Sequence, residues 1–339
     1  MRILFIHNHL SSFVRHDLEA LRHQHEVTEL CLSSRRVNLS GLWRQVKQHD
    51  LVFGWFASWH TFLPLLTARL QGKRSMLVIG GYDLANLPDI GYGHQCGGPK
   101  KWISRATIRL AGTLITNSNY SADEARDNAG LRNRRPHVVY HGVPSSSSCE
   151  PCVRERLAIT IGNVDRPNLW RKGLEPFVRA AAHLPDVRFV VIGAWKDDAI
   201  QHLRSVAGSN VEFTGLVDDT TLQSYCRRAS VYVQASRHEG FGMSVAEAML
   251  AGCIPVATRT GALPEVIGEC GFYSESPAPR DIARAVEAAL NAPETMRDDA
   301  RQRIQIRFAP MRRQAALNEL VSQHDGDLRI SHATSAVGE

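Results

Sequence analysis

The chain has 339 residues, 43% of them apolar and 22% charged. That is a globular composition, long enough for two domains with their own cores, and it excludes a mainly disordered or collagen-like chain. Seven cysteines are too few for a disulfide scaffold. The formal charge of +6 lies in the first half: residues 1–147 hold 18 Lys and Arg against 10 Asp and Glu, and residues 148–339 hold 22 against 24.

The chain opens Met1-Arg2-Ile3-Leu4-Phe5-Ile6-His7-Asn8. Its short apolar run, with no small-residue cleavage site behind it, does not read as a signal peptide. From there, short apolar runs alternate with segments of helical period. In the first half the runs are Arg2–Ile6, Val27–Leu32, Leu51–Phe56, Met76–Ile79, Thr113–Thr116 and Val138–Tyr140. Helical patterns at Val14–His23, Leu39–Gln48 and Thr61–Leu70 lie between them. The uncharged stretch from Leu51 to Ala68 contains Gly54, His60 and Pro64, and reads as a core strand and helix rather than a membrane span. A cytoplasmic protein with reduced thiols is the expectation.

The second half repeats the series. Its runs are Leu157–Ile161, Arg188–Ile192, Val211–Thr214, Val231–Ala235, Ile254–Thr258 and Phe272–Tyr273, with helices at Leu174–His183, Thr221–Arg228 and Asp281–Asn291. Continuous apolar runs indicate strands covered on both faces, hence parallel sheets in βαβ units. The series breaks at Pro144-Ser145-Ser146-Ser147-Ser148-Cys149-Glu150-Pro151, a linker by composition. The sequence therefore predicts two doubly wound α/β domains, 1–147 and 148–323, with a cleft between the carboxyl ends of their sheets. The small, polar tail 324–339 reads as frayed.

The segment richest in chemistry runs from Ser236 to Met249, Ser-Arg-His-Glu-Gly-Phe-Gly-Met-Ser-Val-Ala-Glu-Ala-Met. A strand feeds a loop with Gly240 and Gly242, and a helix begins near Ser244. Glycines let backbone approach a ligand, and a helix start offers unpaired N–H groups suited to phosphate. Glu239 on the loop and Glu247 on the helix suit two separate sets of ligand hydroxyls. Ser244-x-x-Glu247 also fits a capping box, in which Glu247 would only secure the helix start.

With Gly-Phe-Gly inside a Glu-x7-Glu spacing, this segment resembles the retaining glycosyltransferases of family 4, which have the GT-B fold of two Rossmann-like domains facing a cleft. The resemblance continues through Ala251-Gly252-Cys253-Ile254-Pro255-Val256, Gly261-Ala262-Leu263-Pro264-Glu265-Val266-Ile267, Val211-x-Phe213-x-Gly215 and Lys172-Gly173. It implies a nucleotide-sugar donor, a UDP- or GDP-sugar, bound as substrate by the second domain, with no cofactor and no metal. Glu239 would hold donor sugar hydroxyls and Glu247 the ribose. Gly162, Asn163, Gly240, Phe241, Gly242, Met243 and Ser244 would line the donor site. Lys172 would neutralise the departing diphosphate together with an arginine.

That arginine departs from the family pattern, because Asn163 follows Gly162 where an Arg is expected. Arg166 is the first candidate and Arg171 the second. The turn Ile79-Gly80-Gly81-Tyr82-Asp83-Leu84 resembles the family's His-Gly-x-Asp turn with Gly80 in the place of the His. Asp83 is expected to face the cleft, and His94 and His141 read as structural. Ser11, Ser12, Gly81 and Tyr82 are the acceptor-side candidates, with Ser11 or Ser12 capping the first helix. The acceptor would be a glycan or a lipid-linked molecule. An epimerase of the same fold and a non-catalytic nucleotide-sugar-binding protein are the alternatives.

Cys149-x-x-Cys152 stands alone and completes no metal site. No P-loop or Gly-x-Gly-x-x-Gly follows the first strand, and no nucleic-acid motif accompanies the basic first half. Its surplus charge, carried by Arg2, Arg15, Arg22, Arg35, Arg36, Arg44, Lys73, Arg74, Lys100, Lys101, Arg105 and Arg109 among others, suits reversible contact with an anionic membrane if several of them share one face, and otherwise reads as a scattered, solvated basic surface.

Overall fold

A computed structural model describes residues 1–34, 37–144 and 153–333, with side chains as far as residue 323. Arg35, Arg36, the linker from Ser145, the 147/148 boundary and the Cys149–Cys152 pair lie outside the described residues.

The apolar runs become strands, the inner ones buried on both faces and the edge strands Glu26–Cys31, His137–Val138 and Val211–Gly215 only partly covered. In the first half these are β1 (Arg2–His7), β2 (Glu26–Cys31), β3 (Leu51–Trp55), β4 (Arg74–Ile79), β5 (Thr113–Thr116) and β6 (His137–Val138). They form one parallel sheet in the order β2-β1-β3-β4-β5-β6. In the second half β7 (Glu155–Ile161), β8 (Arg188–Ile192), β9 (Val211–Gly215), β10 (Ala229–Gln234), β11 (Ile254–Thr258) and β12 (Phe272–Ser274) form another, in the order β12-β11-β10-β7-β8-β9. Each sheet has an apolar core on both sides. Phe177, Phe189 and Val286 fill one side of the second sheet, and Tyr232, Met249 and Phe308 the other.

Strand order reverses once in each sheet, between β1 and β3 and between β7 and β10. Chains leaving neighbouring strands at such a point turn to opposite faces and open a crevice at the carboxyl ends. The helices between strands follow their burial pattern. Pro279–Leu290 buries Ile282, Ala283, Ala285, Val286 and Ala289 on one stripe and has Pro in its first turn.

The C-terminal segment departs from expectation. Helix Pro310–Ala333 does not stay with the second domain, and it continues through Ala333 where a frayed tail is expected from residue 324. It crosses to the first sheet, where Leu317, Leu320 and Val321 pack with Ile3, Phe5, Leu18 and Trp55. At the crossing, Val143 N–H donates to Phe308 O at 2.8 Å. Gly142 lies so close to Pro310 that an added Cβ would stand 2.6 Å from its Cα. The spacing of Leu317, Leu320 and Val321 announces an apolar stripe, but not which domain receives it.

A buried ion pair anchors this helix. Arg313 Nε and Nη2 meet Asp17 at 2.5 and 2.7 Å, and Nη1 donates to Val139 O at 2.5 Å. Both side chains are almost wholly buried. Asp17→Ala strands a buried guanidinium and is expected to cost about 3–5 kcal/mol. Replacing both partners with apolar residues of similar size should cost much less. Urea unfolding midpoints of the single and double variants check this; equal losses would show that the charge pair is not what holds the helix.

Candidate active site

Lys172 and Glu239 stand on the two sides of the β7/β10 reversal. Lys172 follows β7 through the short helix Arg166–Arg171, and Glu239 follows β10 directly. Lys172 Nζ lies 3.4 Å from Glu239 Oε1. Gly162 lets the lysine stem reach that position, since a Cβ there would stand 2.8 Å from Lys172 Cδ. Gly173, at φ +68°, lets the next turn pass against Ala235 O, where a Cβ would stand only 2.1 Å away.

Glu239 Oε1 also accepts from Gln234 Nε2 at 3.0 Å and Ser236 Oγ at 3.2 Å. Oε2 takes no hydrogen bond among the described residues and is not sealed in the interior. Burial pushes the Glu239 carboxyl up, but the charges of Lys172, Arg171 and His238 outweigh it and hold the group below the usual range. It is therefore an ionised acceptor with one oxygen fixed and one available. The loop is clamped from behind: Ala262 N–H donates to Glu239 O at 2.9 Å, and Gly261 fits there only without a side chain.

The helix after the loop runs Met243–Leu250, with Gly242 as its N-cap at φ +97°. It starts one residue before the expected Ser244, so Ser244 lies inside the first turn and the capping box does not form. Glu247 is thereby released from a capping role and has no hydrogen-bond partner among the described residues. Its carboxylate opens at the surface, yet the protein wall beside it and Asp219 raise it to about 7, against a smaller opposing effect of Lys172. Phe241 is buried against His141 and Phe308 and anchors the loop from below.

The structure separates the two candidate arginines. Arg166 is largely exposed and bonded to Asp198, with Nε–Oδ1 at 2.9 Å and Nη2–Oδ2 at 2.5 Å, which leaves it out of the cluster. Arg171 is held by Asn168 Oδ1 at 2.9 and 2.7 Å and lies 4.9 Å over the ring of Tyr92. Its charge acts on Glu239. Asp165 caps the short helix by accepting from Asn168 N at 2.8 Å, which starts Arg166 at the first turn and aims it outward. Asn163 stays in the loop, its carbonyl accepting from Asn168 Nδ2 at 2.9 Å.

On the first domain Asp83 does not face the cleft. It is buried, and its carboxylate accepts from the N–H groups of Ala57 at 2.9 Å and Gly80 at 3.0 Å, tying the ends of β3 and β4 together. Gly80, at φ +153°, has no room for a histidine: a Cβ would stand 2.7 Å from Asn117 Oδ1. His141 is stacked on Trp55 at 5.9 Å and meets Asn117 Nδ2 at 3.2 Å, and burial drives its pKa far down. His94 packs on Tyr82 beside Ala57 O. Both rings are packed against aromatic neighbours. Ser11 is the N-cap of helix Ser12–Arg22, but its hydroxyl makes no capping bond. Tyr82 is exposed at the mouth, its ring 5.0 Å from that of Tyr92.

The two domains meet across this cleft through residues that sequence reasoning missed. Ser118 Oγ donates to Gly240 O at 2.7 Å while capping helix Asn119–Asp127. Glu265 caps the same helix from the other domain, accepting from Asn119 N at 2.9 Å, Tyr120 N at 2.8 Å and Tyr140 OH at 2.8 Å. His238 Nε2 meets the buried Glu124 at 3.0 Å, and Arg237 meets Asp89 at 2.5 Å. A Cβ on Gly240 would stand 3.1 Å from Gly81 N, so the glycine loops of the two domains touch. Glu265 lies in a recognisable motif, but nothing local in the sequence points to its partner. Among the described residues no group of three His, Cys, Asp or Glu is arranged to hold a metal.

Residues 155–292 match the family model described as glycosyl transferases group 1. A phosphatidylinositol N-acetylglucosaminyltransferase subunit from Arabidopsis thaliana is 26% identical over 238 residues, 67% of this chain and 51% of that protein. Phosphatidyl-myo-inositol mannosyltransferase of Mycolicibacterium smegmatis is 32% identical over 142 residues, 40% of this chain and 35% of that protein. The chain thus spans about half or less of the length of these curated relatives. Among solved structures, Anabaena HepE in complex with UDP and glucose superposes with a TM-score of 0.75 at 16% identity, over 95% of this chain and all of that one. Sucrose-phosphate synthase from Thermosynechococcus elongatus gives 0.74 at 17% identity, over 96% and 99%. At these identities the likeness establishes a GT-B fold.

The buried Asp83 carries a pH signature. Burial raises its carboxyl from 3.8 to about 7, despite the two N–H bonds that favour the charged form. The folded protein then binds more protons at this group than the unfolded chain between about pH 4 and 7, so its stabilising contribution is lost as pH rises through that window. Asp83→Ala should make that decline shallower. It should also leave two buried N–H groups unpaired, at about 1–3 kcal/mol each. Urea unfolding across this pH range reads both effects; unchanged slopes would show that Asp83 titrates normally.

Proposed function

With residues 155–292 as a group 1 glycosyltransferase domain on a GT-B fold, we propose that the protein transfers a sugar from a UDP- or GDP-sugar to a hydroxyl of a glycan or lipid-linked acceptor, with retention at the anomeric carbon. The observation that carries this is the Lys172–Glu239 pair at the β7/β10 crevice, beside a glycine-capped helix start with an unengaged Glu247 one turn on.

The diphosphate lies at the N–H groups that open helix Met243–Leu250, within reach of Lys172 and Arg171. Glu247 accepts from the ribose hydroxyls, and the free Oε2 of Glu239 accepts from the sugar. When the bond between the anomeric carbon and the phosphate oxygen breaks, about one negative charge develops on the leaving group, and the two fixed cations stabilise it. The acceptor oxygen bonds to the anomeric carbon on the same face, and its proton passes to the departing phosphate oxygen. This route asks for no metal and no separate general base, in keeping with the inward-turned Asp83 and the glycine at position 80. The names of the relatives favour mannose or N-acetylglucosamine as the sugar transferred.

Glu247→Gln should weaken nucleoside diphosphate binding by about 1.5–3 kcal/mol, the worth of a hydrogen bond to a charged group. Because Glu247 ionises near 7, wild-type affinity should rise from pH 6 to 8, and the Gln variant should lose that dependence. Glu239→Gln should spare free nucleotide binding but impair turnover. Lys172→Ala should lower turnover by on the order of 10², and Arg171→Ala should cost more than Arg166→Ala. Calorimetry with UDP and GDP, and product assays with and without EDTA, check these outcomes. A larger loss in Arg166→Ala, or activity that EDTA removes and Mg²⁺ restores, would overturn the charge assignment.

A further inference from the structure

Helices Leu39–Gln48, Trp59–Leu70 and Gly98–Leu110 lie side by side on one face of the first sheet, with Trp59–Leu70 packed between the other two. Their buried stripes include Leu42, Val46, Leu65, Ala68 and Ile108. Their outer surface contains no Asp or Glu at all. It carries Arg44, Lys47, Arg69, Lys100, Lys101 and Arg109, and none of these has a carboxylate partner among the described residues. On the same surface Trp102 is 67% exposed, Leu39 63%, Leu70 67% and Trp43 46%.

A solvated basic face does not explain large apolar side chains standing out among unpaired cations, and a face for a protein partner is normally depleted in Lys. Trp and Leu interspersed with Lys and Arg match the boundary of an anionic bilayer. There the indole sits at headgroup level and each cation gains from the negative surface.

We propose that this three-helix face docks reversibly onto an anionic lipid surface. The face is narrower than the sequence charge implies. Arg2 is paired with Asp50 and Arg22 with Glu29, while Arg105 is bonded to Gln95 and Asn128. The opposite face, with helix Ser12–Arg22 and the C-terminal helix, mixes exposed Arg15 and Arg312 with exposed Glu19 and Glu319 and has no comparable run of one sign. Docking also suits the cleft. Helix Gly98–Leu110 packs against the short turn His94–Cys96, and the His94 ring packs on Tyr82, so the basic face borders the proposed acceptor side of the cleft. An acceptor anchored in the same bilayer would meet the cleft from this side.

The test is co-sedimentation of the full chain with vesicles of phosphatidylcholine alone and of an equal mixture with phosphatidylglycerol, at low and high salt. Binding to the mixed vesicles, released by salt, is expected. Lys100→Glu/Lys101→Glu and Arg44→Glu/Lys47→Glu should each lower the partition coefficient on the order of tenfold or more. Arg15→Glu/Arg312→Glu, the same charge change on the opposite face, should leave it near wild type. Trp102→Ser should lower binding without any charge change, and the wild-type tryptophan emission should shift to the blue on the mixed vesicles. The proposal fails if both vesicle types bind alike, or if the opposite-face variant loses as much as the others. It fails too if duplex DNA competes fully while Trp102→Ser binds like wild type, which would make the face a general polyanion surface. None of these readouts needs a donor or turnover, so they stand apart from the proposed transfer reaction.

Discussion

The chemistry of the molecule rests on one reversal of strand order. Because β7 and β10 are neighbours whose connections leave in opposite directions, the residues that follow them converge on a single crevice. Lys172 and Glu239 come from different βα units and end 3.4 Å apart. Burial alone would neutralise the carboxylate. The lysine, Arg171 and His238 keep it charged, while Gln234 and Ser236 fix its direction. An acceptor that is ionised, oriented and left one free oxygen is prepared before any ligand arrives, which is what preorganisation requires.

The same cluster is joined to the first domain through polar bonds as well as through ring contacts such as Phe241 with His141 and His238 with Tyr92 and Tyr120. Glu265 caps a helix of the other domain, Ser118 holds the carbonyl of Gly240, and His238 meets a buried Glu124. The polar bonds are directional, so they define one relative placement of the domains. His238 links the two levels: its ring pairs with Glu124 across the cleft, and its charge acts on Glu239. The C-terminal helix gives a second, covalent tie, and Arg313–Asp17 secures its far end.

Charge is sorted as strictly as shape. The two cleft carboxylates have distinct environments, Glu239 paired with a lysine and Glu247 left unengaged, while Asp83 is turned away from the cleft onto backbone N–H groups. Whereas the neighbouring helix Asn119–Asp127 carries Asp123, Glu124 and Asp127, helices Leu39–Gln48, Trp59–Leu70 and Gly98–Leu110 of the first domain lack carboxylates altogether. Their arginines and lysines would repel each other on that surface, but in water at physiological salt the repulsion is screened beyond about 8 Å.

The alternation of apolar runs and helical patterns was enough to determine two parallel α/β halves, because a strand covered on both faces must be continuously apolar and a surface helix must repeat near 3.6. The Gly240–Gly242 loop and the two glutamates were also readable, since backbone approach and helix starts depend on neighbouring residues. Tertiary structure decided the rest. That Arg171 rather than Arg166 stands beside the Lys172–Glu239 cluster turns on Asp198 drawing one arginine outward and on Tyr92 and Asn168 receiving the other. Asp83 faces inward because two N–H groups from separate strand ends converge on it. Glu124 and His238 are 114 residues apart, and Asp17 and Arg313 are 296 apart. Local spacing records hydrogen-bond geometry and burial period along the chain, whereas these partners are chosen by the packing of whole domains, for which no short stretch of sequence carries the distance.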